Sequence, residues 1–322
     1  MMNKRVYGVI GIKSIMSNWN ADFSGYPKSI STGEVFGSDK ALKYPIKKMW
    51  ENQGEKVLYI KSYKIDESEK EGKVIRPKSL GERYEQIFDD KIVRDKKDKK
   101  DNKKVLENLF SAIDVKNFGA TFAEEGNNIS ITGAVQITQG FNKYDGHNVE
   151  EQQILSPFRN SKNKKDKETQ EEQEDNSSTL GSKIVSNEAH YFYGFSINPL
   201  VYKEYEDLGV TDGYTEEDYI KFKDASLVAA TSFNTNSKVG CENELAIFIE
   251  TEKDLYLPDL AQFIEFEKGE NISTIKLNFD NLLNEVHEKI KAIEIYFNPY
   301  TTKIEGKIEG AKYFNIFTKT GI

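Results

Sequence analysis

Lys40, Lys43 and Lys47 are the residues whose type and spacing point most directly to chemistry. At i, i+3 and i+7 they fall on one side of a helix, making a stripe of ammonium groups suited to a polyanion. Ser38 or Asp39 could cap that helix, leaving free backbone N–H groups that an anion can take up. This is the chemistry of holding phosphates, not of making or breaking bonds. Groups for catalysis are sparse. His147, His190 and His287 are the only histidines, and none sits at metal-ligand spacing. His190 lies in an aromatic run and reads as a packed or interface residue. Cys241 has no nucleophile motif around it and reads as a small loop or core residue. Asp22 could hold a metal or assist phosphodiester cleavage, but one carboxylate in NADFSG is better explained as a turn-stabilising residue. Trp19 and Phe23 could stack on bases or cover the core. Gly119, Gly126, Gly133 and Gly140 are too widely spaced for a phosphate loop and mark turns, bulges or close backbone approaches.

The elements that must position these groups follow from periodicity. Val6, Gly8, Ile10 and Ile12 alternate with Tyr7 and Val9, which predicts a first strand buried on both sides. A glycine- and serine-punctuated loop follows it. Leu42, Ile46, Met49 and Trp50 then mark the apolar face of the basic helix. Pro45 places the regular part of that helix from about Tyr44, with Ser38 to Lys43 as a turn. A short strand is expected over Lys56 to Lys64, then charged helices through Leu80–Phe88 and Val105–Ile113. Between those helices the run from Arg94 to Lys104 reads as a solvated loop. Ile129, Ile131, Val135 and Ile137 alternate around Thr132-Gly133 and predict a central strand over 128–139. The polar segment SKNKKDKETQEEQEDNSS has no apolar residue to bury and is expected to be disordered when free. It separates that strand from the aromatic strand Glu188–Ile197, suggesting a projecting hairpin. Thr215 with Asp218 forms a capping box for a helix to about Ala230. A strand over ELAIFIE, a helix from Asp280 to Ala292 and a strand over IEIYFN complete the reading. Without the excursions the order is β-α-β-β-α-β, the ferredoxin-like order of RNA-recognition motifs, although the aromatic RNA-binding signature of those motifs is missing.

Composition narrows the function classes. Of the chain, 37% is hydrophobic and 30% charged, and no apolar run approaches membrane-spanning length. The basic N-terminus lacks a cleavage site, and the single cysteine excludes an internal disulfide or a cysteine-based metal cluster. A soluble, cytoplasmic protein without cofactor is expected. The net charge of −8 argues against a nucleic-acid partner, but its distribution argues the other way. Residues 1–50 carry eight basic and three acidic side chains, an excess of +5 that leaves −13 on the rest. Such asymmetry suits a basic groove on an acidic body.

Seven strings, in order, carry a family resemblance: GVIGIKSIMSNWNADFSG, FGSDKALKY, NFGATFA, NISITGAVQITQG, ILSPFRN, STLGSKIVSNEAHYFYGFSINP and VGCENELAIF. Together they resemble the CRISPR-associated backbone subunit of type I-B Cascade, within the repeat-associated mysterious protein superfamily, over residues 6 to 250. The resemblance implies an α+β fold: a ferredoxin-like, RRM-like palm with a helical fingers insertion and a thumb β-hairpin. It divides the chain into palm (1–58), fingers (59–117), palm strand (118–151), thumb hairpin with a disordered tip (152–188), and second palm part with C-terminal region (189–322). It also implies a non-enzymatic scaffold that forms a helical homo-oligomer along CRISPR RNA, meets target DNA through the guide and joins other Cascade subunits, with no membrane partner. The RNA-binding residues implied are Lys13, Ser38, Lys40, Lys43, Lys47, Ser156, Phe158, Arg159, Asn236 and Lys238, with no metal and no catalytic residue. The alternative is a metal-dependent ribonuclease of the type III backbone kind, using Asp22.

Overall fold

Val6, Ile10 and Ile12 are buried in one apolar cluster and Tyr7 and Val9 in another, so the first strand separates two cores. In the computed structural model, which describes residues 2–68, 72–91, 102–124, 126–155 and 179–322, this strand is β1 (Arg5–Ser17). Packing over it is tight. A Cβ on Gly8 would lie 1.9 Å from the Ile247 carbonyl oxygen and 2.6 Å from the Phe195 ring, so only glycine fits.

After β2 (Phe36–Gly37) and α1 (Asp39–Asn52), a hairpin of β3 (Tyr63–Ser68) and β4 (Gly72–Pro77) leads to α2 (Leu80–Phe88), α3 (Asn102–Ser111) and α4 (Ile113–Phe118). Next come β5 (Gly119–Phe122), β6 (Ile129–Thr132), β7 (Val135–Ile137), β8 (Gly140–Asn142), β9 (Val149–Leu155) and the long β10 (Thr179–Ile197). Then follow α5 (Lys203–Asp207), α6 (Glu216–Ser232) and β11 (Cys241–Thr251). The chain finishes with β12 (Ile264–Glu267), β13 (Ser273–Leu277), α7 (Asp280–Glu285), β14 (Ile290–Phe297), β15 (Thr302–Glu305) and β16 (Ala311–Asn315).

The main sheet runs β16-β14-β11-β1-β10-β8-β2, with β7 and β9 also paired to β10. β1 is antiparallel to both β10 and β11. Leu42, Ile46 and Trp50 of α1 and Phe222 and Leu227 of α6 share the cluster with Val6 and Ile10. On the opposite face, Ile264 and Phe266 of β12 and Ile275 and Leu277 of β13 join Tyr7 and Val9. Each such fully buried side chain contributes about 1.5–3 kcal/mol. The capping box expected at Thr215 is present: its hydroxyl accepts the Asp218 N–H while Asp218 accepts the Thr215 N–H. Among the described residues no helix is long and apolar enough to cross a membrane.

Several expectations need correction. The alternating run 128–139 is not one central strand. β6 pairs with β5, whereas β7 pairs with the end of β10, and the chain changes partner at Gly133. A Cβ on Gly133 would lie 2.4 Å from the Gly119 nitrogen, so the two backbones touch there. Helix α1 begins at Asp39, not near Tyr44, and runs through Pro45. The Ser38 cap and the burial of Leu42, Pro45 and Ile46 outweigh the N–H that proline cannot supply. The strand expected over Lys56–Lys64 starts only at Tyr63. Before it, the N–H groups of Leu58 and Tyr59 bond to the Asp114 carboxylate rather than to a neighbouring strand. The C-terminal helix stops at Glu285, because Ile290 already pairs with Thr251 in the main sheet.

Candidate nucleic-acid interface

The N-terminus of α1 is anchored by the loop that follows β1. Ser38 Oγ accepts the Ala41 N–H at 3.3 Å, and Asn20 Oδ1 accepts the Ser38 N–H at 2.7 Å. Lys40 is exposed and makes no ion pair among the described residues. Lys43 differs: its Nζ lies 2.8 Å from Asp39 Oδ2 and over the Phe118 ring at 5.3 Å. Burial alone would raise the Asp39 carboxyl, but Lys43 holds it below the usual range. Lys47 turns inward, with Nζ donating to the Tyr59 carbonyl at 3.4 Å and lying 3.8 Å from Asp114 Oδ2. Burial pushes its pKa down against the attraction of Asp114. The three-lysine stripe is therefore one exposed cation without an ion pair among the described residues, one paired with the partly exposed Asp39 and one turned toward the buried Asp114.

The loop between α6 and β11 approaches the same region. Asn236 is exposed on it. Lys238 Nζ instead donates to the carbonyls of Asn18, at 2.8 Å, and Trp19, and sits over the Trp19 ring at 5.4 Å. Burial pushes its pKa down. Lys238 thus clamps one loop to another. Lys13 is similarly engaged, with Nζ 2.9 Å from Glu242 Oε2. Ser156, Phe158 and Arg159, with the polar hairpin tip, lie outside the described residues, as does most of the basic run after Arg94.

Together the first loop, the root of the β9–β10 hairpin and the 233–240 loop enclose a cleft of about 310 Å³. Asn18 and Ser24, Ser182 and Lys183, and Asn236 and Lys238 are among the residues that line it. Tyr26 reaches from the first loop to Glu151 of β9 at 3.3 Å, bracing the hairpin. Beyond the cleft, Tyr44 meets Phe233 edge to face at 5.4 Å, which brings the exposed side of α1 against the start of the 233–240 loop. Lys40 lies one turn before Tyr44 on that side. Lys61 is exposed over the Tyr63 ring at 5.0 Å. Sequence reasoning missed Asn18, Tyr44, Lys61, Lys183 and Phe233. The i+4 spacing from Lys40 to Tyr44 and the closeness of Lys61 to Tyr63 were the available signals, since Asn18, Lys183 and Phe233 come together only from distant segments.

Two of the groups considered for catalysis, Asp22 and Cys241, are engaged in structural contacts. Asp22 Oδ1 accepts the N–H groups of Ser24 at 2.8 Å and Tyr26 at 3.0 Å, closing its own turn. Among the described residues no three His, Cys, Asp or Glu side chains are grouped to hold a metal ion. Cys241 is buried 3.3 Å from Ser17 Oγ, and burial pushes its thiol pKa up. Trp19 belongs to the core, donating from Nε1 to the Tyr193 hydroxyl at 2.5 Å, whereas Phe23 is fully exposed.

Residues 4–288 match the family model described as CRISPR-associated protein Cas7. A chain from a solved "CRISPR RNA-guided surveillance complex, pre-nicking" aligns with a TM-score of 0.54 and 13% identity over 96% of each chain. One from a "CRISPR RNA-guided surveillance complex" aligns with a TM-score of 0.45 and 14% identity over 90% of this chain and 88% of that one. At these identities the first likeness speaks to fold alone. No curated protein matches the sequence.

Proposed function

We propose, from the premise that this chain belongs to the Cas7 family of CRISPR-associated proteins, that it is the RNA-binding backbone subunit of a type I-B Cascade. It polymerises along the guide RNA, meets target DNA through that guide, and cuts nothing itself. One observation carries this reading: the first loop, the hairpin root and the 233–240 loop converge on one cleft, and the same first loop holds the N-terminus of the helix that carries the exposed Lys40. Phosphate is gripped without reading sequence, and base pairing supplies recognition, as in other RNA-guided effectors.

The antiparallel order β11-β1-β10-β7, with α1 and α6 packed on one side, supports a ferredoxin-like, RRM-like palm. On that reading 1–58, 118–151 and 189–322 supply the palm, 59–117 the fingers and 152–188 the thumb. Lys40, Lys183, Asn236 and the N-terminus of α1 at Ser38 face RNA directly. Lys13, Lys43, Lys47 and Lys238 hold the walls, and Ser156, Phe158 and Arg159 belong to the thumb.

The test is a gel shift of the full chain with a synthetic CRISPR-repeat RNA. Several copies should load on one RNA, and a Lys40→Ala, Lys183→Ala double variant should bind more weakly with a shallower salt dependence. Failure of the wild-type chain to bind RNA, or an unchanged affinity in the double variant, would reject the interface.

A further inference from the structure

Along the β3–β4 hairpin, side chains alternate between a half-buried face and an exposed one, and the exposed face is the more apolar. Inward, Lys64 and Arg76 both reach Glu82 of α2, at 2.6 Å and 2.7 Å, which fixes the side of the hairpin that meets α2. Outward, Tyr63 is 56%, Ile65 64% and Ile75 70% exposed, with Tyr63 opposite Pro77 and Ile65 opposite Ile75. An antiparallel ribbon ordinarily keeps its polar side in water. A contiguous apolar face held outward by ion pairs marks a surface for a partner.

What surrounds that face narrows the partner. Lys61 Nζ stands over the Tyr63 ring at 5.0 Å and has no carboxylate partner among the described residues. The Tyr63 hydroxyl raises its pKa, and Tyr44 of α1 adds to the effect from nearby. Lys47 ties the two elements together by donating to the Tyr59 carbonyl at 3.4 Å, so the entrance of the hairpin runs beside α1 and its exposed Lys40. On the outer face Glu67 is already paired with Lys73, at 3.3 Å. Exposed rings flanked by ammonium groups suit a single strand of nucleic acid: phosphates meet the cations and base faces meet the rings. Such stacking accepts any sequence, because every base has a π-face, and it leaves the pairing edges free, as a guide requires. Resting on the proposed role, we propose that the outer face of the β3–β4 hairpin is a base-stacking site for guide RNA. One nucleobase lies on Tyr63, with Ile65 and Ile75 extending the apolar floor, and Lys40 and Lys61 hold the adjoining phosphates.

The experiment compares binding of the full chain to a synthetic single-stranded RNA and to the same strand made abasic throughout. Tyr63→Ala should bind the intact RNA about tenfold more weakly than wild type does, yet bind the abasic strand equally well. Tyr63→Phe keeps the ring and should bind both strands as wild type does. Lys61→Ala should instead flatten the log–log salt dependence by about 0.7 on either strand. Because Tyr63 and Lys61 are exposed, all three variants should melt with the wild type. Unchanged affinity of Tyr63→Ala for intact RNA would overturn the proposal. So would an equal loss on intact and abasic strands, which would give the ring a structural role. A Tyr63→Ala chain that binds RNA normally but no longer loads several copies on one strand would make this face a contact between proteins, and would overturn it too. A wild-type chain that ignores intact RNA would overturn the functional reading as well, which separates the two failures.

Discussion

Across β1, the imidazole of His190 in β10 meets the carboxylate of Glu244 in β11, Nδ1 to Oε2 at 2.8 Å. Its other nitrogen, Nε2, lies 3.0 Å from Glu188 Oε1, and its ring stacks on Phe266 at 3.6 Å. A neutral imidazole donates from only one nitrogen, so two carboxylate partners favour the doubly protonated form. Lys268, just beyond β12, closes the group at 2.6 Å from Glu188, and Tyr144 lies edge-on to the ring. Burial alone would lower the His190 pKa, but Glu244 and Glu188 raise it overall. A raised folded-state pKa contributes stability in full below the unfolded value of about 6.5, and that contribution is lost as pH rises through the folded value. Urea denaturation of wild type and His190→Gln should therefore differ most at mildly acidic pH, by about 3 kcal/mol, with the gap narrowing at alkaline pH. A gap independent of pH would mean that His190 is neutral.

Lys40 and Lys47 should separate cleanly. Lys40→Ala should leave the melting temperature unchanged and flatten the salt dependence of RNA binding by about 0.7 in log–log slope, the effect of neutralising one phosphate fewer. Lys47→Ala leaves Asp114 buried without its cation and should destabilise the fold by about 1–3 kcal/mol, measured by chemical denaturation. The reverse pattern would contradict the inward course of Lys47.

Lys238→Met retains the apolar stem over Trp19 but removes the donor to the Asn18 and Trp19 carbonyls. Amide hydrogen exchange should quicken through residues 18–25, and RNA affinity should fall as the loop loses order. Unchanged exchange there would show that the clamp contributes nothing to the loop.

Asp22→Ala removes the acceptor for Ser24 and Tyr26 and should cost about 1 kcal/mol of stability. With magnesium present, neither wild type nor variant should cut guide or target RNA. Cleavage by wild type that Asp22→Ala abolishes would establish the ribonuclease alternative.

Much of the fold was legible where the governing forces are local. The Thr215 capping box and the two-faced alternation of β1 are set by residues a few positions apart, and each takes the form its spacing predicted, whereas the cap of α1 was left between Ser38 and Asp39 and its start was misplaced by Pro45. The seven family strings, too, lie in the sequence itself and anticipated the matching family. Where local and distant forces compete, the pattern misled. The alternation through Ile129–Ile137 predicted one strand, but the close approach of Gly133 to Gly119 divides it between two sheets.

For the candidate site the division is sharper. Sequence determined the number, sign and helical spacing of the lysines, and these alone made Lys40, Lys43 and Lys47 look equivalent. Only the tertiary structure decided that Lys40 meets solvent, Lys43 meets Asp39 and Lys47 meets Asp114. It likewise set Lys238 against carbonyls more than two hundred residues away and buried Asn18 Oδ1 with no donor among the described residues. The physical reason is that charge belongs to the residue, whereas desolvation and hydrogen-bond partners belong to whatever the folded chain brings beside it.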